Sequence, residues 1–221
     1  MLDTIPFLKS RHPEFDGWNN QIRSMGTDSL SHFGNGYTHE GGYALQQNPE
    51  EFAALCLWLS ELGYANLETA VYLEIGSASG GTGRYLWEKF RFRRFLSIDD
   101  GKHPRASEQA ENFKGTGVIQ FVGDSRSLHA LSWLDDKTGP ADGLVSIAFI
   151  DGDHSYNGVK HDLQMVTSHC IPGAIVILHD IVACSGVKDV WEKVQSKGSV
   201  EPLAEFVGAE KPLGIGVGRV V

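Results

Sequence analysis

The sequence predicts a doubly wound α/β domain with a seven-stranded, mainly parallel sheet. Three observations carry this expectation. Short apolar strands alternate with amphipathic helices from Pro49 onward, and acids or glycines stand just after most of the strands. The chain has 221 residues, 41% of them hydrophobic, which suits one full-size domain better than two small ones.

The elements follow in order. Residues 1–48 are polar, dotted with aromatics and rich in glycine, as in HFGNGYTHEGGYALQQNP. They read as an N-terminal extension with a short helix or two; a lid, a pocket wall and a homodimer contact stay open as its role. Residues 49–221 form the domain. Pro49 suits a first helical turn, and Phe52, Leu55, Leu59 and Leu62 repeat at helical spacing over 50–62. Strands are expected at 71–75, 94–98, 118–122, 144–150 and 174–178, with helices near 82–92, 105–114, 126–135 and 156–170 between them. Val159, Leu163, Val166 and Cys170 line one face of the last of these. A helix near 186–197 and strands at 203–207 and 214–220 complete the chain. The final two strands are joined without a helix, so one of them runs antiparallel.

Charge and cysteine usage narrow the function. A net charge of −9 argues against a nucleic-acid partner. The run Arg91, Arg93, Arg94 reads as a solvated helix terminus. Cys56, Cys170 and Cys184 have no motif spacing, and the first two fall in apolar helical patterns, which predicts reduced, buried thiols and a cytoplasmic setting. No segment is apolar enough for a leader or a membrane span.

Ligands of open α/β sheets bind beyond the carboxyl ends of the strands, near the switch in strand order. The residues just after each strand are therefore the informative ones. LEIGSASGGTGRYL follows the first strand, and Gly76, Gly80 and Gly81 permit a tight turn with backbone close to a ligand. Position 78 is Ala, so the nicotinamide pattern GxGxxG fails. Glu74 would repel a pyrophosphate but suits a cofactor carrying an ammonium and a sulfonium; the plainer alternative is a strand-end acid capping the loop. The second strand ends in SIDD, where Asp99, or failing it Asp100, can accept both ribose hydroxyls. The third ends in VGDS, where Asp124 can accept from an adenine amino group beside Ser125, or can cap the next helix.

LEIGSASGG, SIDD, VGDS and above all FIDGDHSYNGVKHDLQMVTSHCIPGAIVILHDI resemble class I S-adenosylmethionine-dependent methyltransferases with their Rossmann-like sheet. The likeness is to the branch with macrocin-type sugar O-methyltransferases and cephalosporin hydroxylase-like proteins, and it spans about residues 45–220. It implies S-adenosyl-L-methionine as cofactor, with Glu74 and Gly76 near the methionine end, Asp99 on the ribose and Asp124 near the adenine; Ser77, Gly80, Ser125 and Asp151 complete the expected cofactor-binding set. It implies methyl transfer to a hydroxyl of a small sugar- or phenol-like acceptor.

The fourth strand ends in Asp151, Gly152, Asp153, His154 and the fifth in His179, Asp180, bringing three carboxylates and two imidazoles to one rim. The resemblance assigns Asp151, His179 and Asp180 to a divalent metal, Mg2+ or Mn2+, and Asp153 to the general base, with His154 as the second catalytic candidate. His179 stands where relatives place a carboxylate, which favours manganese over magnesium. Plainer alternatives remain for each: Asp153 capping the helix near Tyr156, His154 packed over the strand end, His179 bonded to backbone. His129, His161 and His169 read as solvated helix residues, while His32 and His39 could reach the pocket from the extension. Trp18, Tyr37, Tyr43, Tyr156 and Trp191 offer aromatic surface for an acceptor ring. A metal-dependent hydrolase would explain the rim but not Glu74, the glycine loop or Asp99. A non-catalytic cofactor-binding protein would need the Asp99 site alone.

Overall fold

The computed structural model describes residues 2–24, 45–139 and 142–221. Its sheet has seven strands in the order β3-β2-β1-β4-β5-β7-β6. These are β1 Val71–Ile75, β2 Arg94–Asp99, β3 Ile119–Val122, β4 Val145–Ile150, β5 Cys170–His179, β6 Val200–Phe206 and β7 Ile215–Val220. The first five pair in parallel; β7 runs antiparallel to both β5 and β6. That is the Rossmann-like arrangement the sequence predicts, with β7 as the reversed strand. The strand order reverses direction between β1 and β4.

Strand alternation sorts the core into two layers. Tyr72, Phe95, Ile147, Phe149 and Ile177 face one side, under α1 (Ile5–Arg11), α2 (Phe15–Ser24), α3 (Pro49–Glu61) and α5 (Gly81–Phe90). Leu73, Ile75, Leu96, Ala148, Val176 and Leu178 face the other, under α7 (Leu128–Lys137), α8 (Tyr156–Thr167) and α9 (Ser185–Lys197). Helix α3 buries residues on every face because it lies between the sheet side and α1 and α2. A fourth helix, α4 (Tyr64–Thr69), and a short α6 (Gln109–Asn112) complete the set among the described residues.

Several expectations are corrected. The described part of the N-terminal extension is built into the domain: Ile5, Leu8, Phe15 and Ile22 are core residues, and Asp3 bridges to Ala204 at the edge of β6. The indole of Trp58 donates to Asp3 at 3.0 Å. Helix α8 stops at Thr167, and Cys170 instead opens β5 opposite Val145, because Pro172 disfavours helix before it. The segment starts β5 early, and Gly173 (φ +80°) bends it before the regular pairing at Ile175. His169 is buried, bonded to the Met165 carbonyl and to Asp135 at 2.9 Å. Arg94 is no helix terminus: it opens β2 and donates to the carbonyl of Lys137 at 2.8 Å, at the carboxyl end of α7.

Candidate active site

Gly76 sits where β1 and β4 part. Its φ is +82°, its N–H donates to Ile98 at 2.9 Å, and a side chain there would strike the backbone of Asp151 and Gly152. The loop continues through Ala78, which also takes a left-handed conformation, φ +49°. Asp99 fixes it: one carboxylate oxygen accepts from the Ala78 N–H at 2.9 Å, the other from Gly101 at 2.8 Å. From the far side, Gln109 of α6 donates to the Ala78 carbonyl at 2.7 Å and Asn112 to the Ser79 carbonyl at 2.7 Å.

These ends enclose a cleft of about 240 Å³ walled by Gly76, Ala78, Asp99, Asp100, His103, Asp124, Ser125, Arg126, Asp151 and Asp153, with Ile75 and Ile98 at its base. Arg126, on its wall, joins two other lining acids, Asp124 at 3.0 Å and Asp153 at 2.9 Å. Asp124 does not cap α7; Ser127 does. Ser125 donates at 2.6 Å to Asp162, a buried acid on α8.

The rim beside the cleft is a closed polar cluster. Asp151 Oδ1 faces His154 Nε2 and His179 Nδ1, each at 3.1 Å. Asp180 is fully buried with φ +66°, and its Oδ2 lies 3.3 Å from His154 Nδ1. Ligand atoms of Asp151, His179 and Asp180 fall within 4.8 Å of one another, a spacing that can hold an ion. Burial alone would drive the His179 pKa down, but Asp151 and Asp180 outweigh it and raise the pKa to about 9. Burial also acts against the Asp151 carboxylate, yet His179 and His154 hold its pKa well below the usual range. The Asp180 carboxyl is pushed up by burial.

The comparisons with known proteins point the same way. Residues 73–181 match the family model described as a methyltransferase domain. An O-methyltransferase of tomaymycin synthesis from Streptomyces achromogenes, solved with S-adenosylmethionine, superposes with TM-score 0.62 at 19% identity, over 94% of this chain and 99% of its own. An O-methyltransferase from Bacillus cereus, solved with S-adenosylhomocysteine, gives 0.61 at 15% identity over 91% of each chain. An amino pentose methyltransferase from Micromonospora echinaspora gives 0.52 at 11% identity, over 78% of this chain and 91% of its own. No curated protein sequence matches the chain. The chain has the fold of these methyltransferases, and its residues 73–181 are similar to a methyltransferase domain.

The expected residues divide in two at this site. Gly76, Asp99, Asp124, Ser125, Asp151 and Asp153 stand on the cleft wall. Glu74, Ser77 and Gly80 do not. Glu74 shares the parity of Tyr72, so it points under the first turn of α5, where Gly83 leaves room for its carboxylate. Burial, with Asp151 and Asp99 near, pushes its pKa well above the usual carboxyl range. Ser77 is bonded to Ser97 at 3.0 Å, and Gly80 caps α5 in a left-handed conformation against Phe113. Asp153 does not cap α8; Ser155 does, and Asp153 accepts from the Ser155 N–H at 2.9 Å.

The aromatic residues expected around an acceptor are placed elsewhere. Trp191 is core, donating to Glu205 at 2.7 Å. Trp18 packs on the helical side under Lys89, and the Tyr156 hydroxyl accepts from Lys193 on the outer face of α8 and α9. Tyr37, Tyr43, His32 and His39 lie outside the described residues. His129 is exposed and His161 half-exposed, as expected.

Sequence reading missed Arg126, Gln47 and Glu51. Gln47 reaches Thr82 at 3.4 Å and Asp151 at 3.5 Å, joining the entry to α3 to the rim. Glu51 is a fully buried acid of α3 that accepts from Gly208 at 2.8 Å, Leu213 at 3.2 Å and Gly214 at 2.9 Å, tying down the loop before β7. Buried acids in an apolar helix are the signal that Glu51 gave and that the reading passed over.

Proposed function

We propose that the cleft between the ends of β1 and β4 holds S-adenosylmethionine and that the enzyme moves its methyl group to a hydroxyl of a small molecule at the adjoining rim. The observation that carries this is the convergence of Gly76, Asp99, Asp124 and Asp151, from four strand ends, on one cleft at the reversal of strand order. The O-methyltransferases it resembles, solved with S-adenosylmethionine or its demethylated product, agree with that reading.

In this reading Asp99 accepts the ribose hydroxyls with the lone pairs its backbone bonds leave free. Asp124, with Ser125, receives the adenine edge. Gly76, Ser77 and Gly80 shape the turn that meets the methionine end, and Glu74 acts on it from behind, through the start of α5. The acceptor oxygen attacks the methyl carbon in line, the carbon–sulfur bond breaks toward sulfur, and the hydroxyl proton leaves to a base on the rim. Asp153, on the cleft wall, is the assigned base, and His154, in the rim cluster beside it, is the second candidate.

The donor set Asp151, His179 and Asp180 fits a divalent ion: the ligand atoms are close, and the buried Asp180 Oδ1 has no hydrogen-bond partner. Such an ion supplies Lewis acidity to a bound hydroxyl, and the imidazole among its ligands favours manganese over magnesium. The net charge of −9 and a cleft lined by acids favour a small-molecule partner over nucleic acid. No described helix is long and apolar enough to cross a membrane. Three free cysteines agree with a reducing, cytoplasmic setting.

Calorimetry on the purified chain tests the reading. S-adenosylmethionine and S-adenosylhomocysteine are expected to bind well above NAD or ATP. Tighter binding of NAD sinks it.

A further inference from the structure

The rim carries a second set of donors in which Cys184, unused by the methyltransferase reading, joins His154 and Asp180. His154 Nδ1, Asp180 Oδ2 and Cys184 Sγ form a compact triangle, with Sγ to Nδ1 at 3.5 Å, Sγ to Oδ2 at 3.8 Å and Nδ1 to Oδ2 at 3.3 Å. The chain builds it locally. Strand β5 ends at Asp180, and a single turn, closed by the Cys184 N–H on the Asp180 carbonyl at 3.0 Å, brings residue 184 back under residue 180. The loop after β4 delivers His154 from the neighbouring strand.

Zinc bonds of about 2.3 Å to sulfur, 2.0–2.1 Å to imidazole and 2.0–2.2 Å to carboxylate imply tetrahedral edges near 3.6, 3.6 and 3.4 Å. The three measured edges lie close to those. The far nitrogen is also placed for a metal. His154 Nε2 lies 3.1 Å from Asp151 Oδ1, the carboxylate–histidine arrangement that orients a metal-binding imidazole. With the ring proton on Nε2, the Nδ1 lone pair faces the Cys184 sulfur and the Asp180 carboxyl, and loss of the thiol proton leaves three ligand atoms converging on one point. His154 and Cys184 are partly exposed while Asp180 is buried, so an ion has a path in and a fixed floor.

We propose that His154, Asp180 and Cys184 form a binding site for a soft divalent cation of the zinc type, with Asp151 as the outer carboxylate and the fourth position open. The thiolate distinguishes it from the hard-ion set Asp151, His179 and Asp180, since sulfur ligands select zinc over magnesium. The two sets share Asp180 through different oxygens: Oδ1 is 3.5 Å from His179 Nδ1, and Oδ2 faces His154 and Cys184. The proposal needs neither the cofactor nor an acceptor, so it stands or falls apart from the methyl-transfer reading.

The test is a titration of the metal-stripped full chain with Co2+ and Zn2+, followed by absorbance and calorimetry. Expected are stoichiometric zinc binding unaffected by millimolar magnesium and a near-ultraviolet thiolate-to-cobalt charge-transfer band. Cys184→Ser should abolish the band and weaken zinc by at least about 100-fold. His154→Ala should weaken zinc similarly, and Cys56→Ser and Cys170→Ser should leave the band intact. Should Cys184→Ser fail to fold, alkylation of the wild-type chain read by mass spectrometry serves instead: bound zinc should slow modification of Cys184 at least about 10-fold. No charge-transfer band, a band that survives Cys184→Ser, or equal alkylation with and without zinc overturns the site and leaves the triangle as a hydrogen-bonded cluster.

Discussion

The Ala78 N–H donates to Asp99 Oδ2 across 2.9 Å, so the turn after β1 and the acid that ends β2 move as one unit. Asp99 therefore has two tasks, holding the loop and meeting the cofactor. Asp99→Ala is expected to weaken S-adenosylmethionine by roughly 1.5–3 kcal/mol, the scale for hydrogen bonds to a charged acceptor. It should also lower stability modestly, because the half-buried Ala78 N–H and the exposed Gly101 N–H lose the acceptor that ties the two loops together. Calorimetry beside thermal unfolding separates the two. Unchanged affinity in a folded variant removes Asp99 from the cofactor site.

Ala78 is the residue that defeats the nicotinamide pattern, and it holds a backbone conformation that glycine takes freely, φ +49°. A left-handed L-residue costs roughly 1–2 kcal/mol, while glycine costs about 0.4–1 kcal/mol through the unfolded chain. Ala78→Gly should therefore stabilise the protein, by roughly 0.5–1 kcal/mol, seen as a rise in Tm of about 1–4 °C. A fall in Tm would mean that the methyl group packs usefully.

Much of this architecture was legible because each strand end is marked in the sequence. The expected bounds of β1 match the structure, and Gly76, Asp99, Asp124 and Asp151 all reach one cleft. Legibility failed where a residue's role depends on a distant partner. Arg126, Gln47 and Glu51 act through single long side chains reaching another element, and such contacts leave no local period. Trp191 misled for a related reason: Gly216 on β7 opens the space that its ring fills, and nothing near Trp191 shows that. Cys170 misled because the face of α8 continues smoothly in sequence past the point where Pro172 ends the helix.

Glu51 makes a prediction of stability. It accepts three buried backbone N–H groups from the loop before β7. Removing a buried acceptor costs about 1–3 kcal/mol for a donor left unpaired, and the costs need not add. Glu51→Ala should destabilise the fold by about 3 kcal/mol or more, read by denaturant unfolding. A loss under about 1 kcal/mol would mean that the loop re-pairs with water.

His12 gives the first two helices a dependence on pH. Its ring lies 2.6 Å from Glu61 on α3 and 3.1 Å from Glu14, while Arg11 also binds Glu61 at 2.8 Å. The hydrogen bond to Glu61 raises the His12 pKa despite some burial. A raised histidine pKa adds stability that is complete below the unfolded value of about 6.5 and is lost as pH rises through the folded value. The wild-type Tm should therefore fall from pH 6 to 8.5 more than that of His12→Gln. Arg11 keeps its charge throughout, so docking weakens without being lost. Parallel curves for the two proteins would exclude His12 as the source.

Asp153 is the assignment most exposed to test, because the structure sets its two requirements against each other. It stands on the cleft wall, where a base for the acceptor hydroxyl is needed. Yet the Ser155 N–H, with Arg126 at 2.9 Å, holds its carboxyl below the usual range, which makes it a weak base. Loss of a general base slows turnover by about 10²–10⁴, and a base this weak belongs at the lower end. Asp153→Asn is expected to keep S-adenosylmethionine affinity and to slow methyl transfer by roughly 100-fold. Arg126→Ala separates basicity from position. If Arg126 only restrains the base, its loss leaves kcat equal or higher; if it orients Asp153, kcat falls alongside that of Asp153→Asn. A chelator titration with manganese and magnesium restored in turn completes the set. Full activity in excess chelator removes the ion from the reaction, and full activity of Asp153→Asn moves the base to His154.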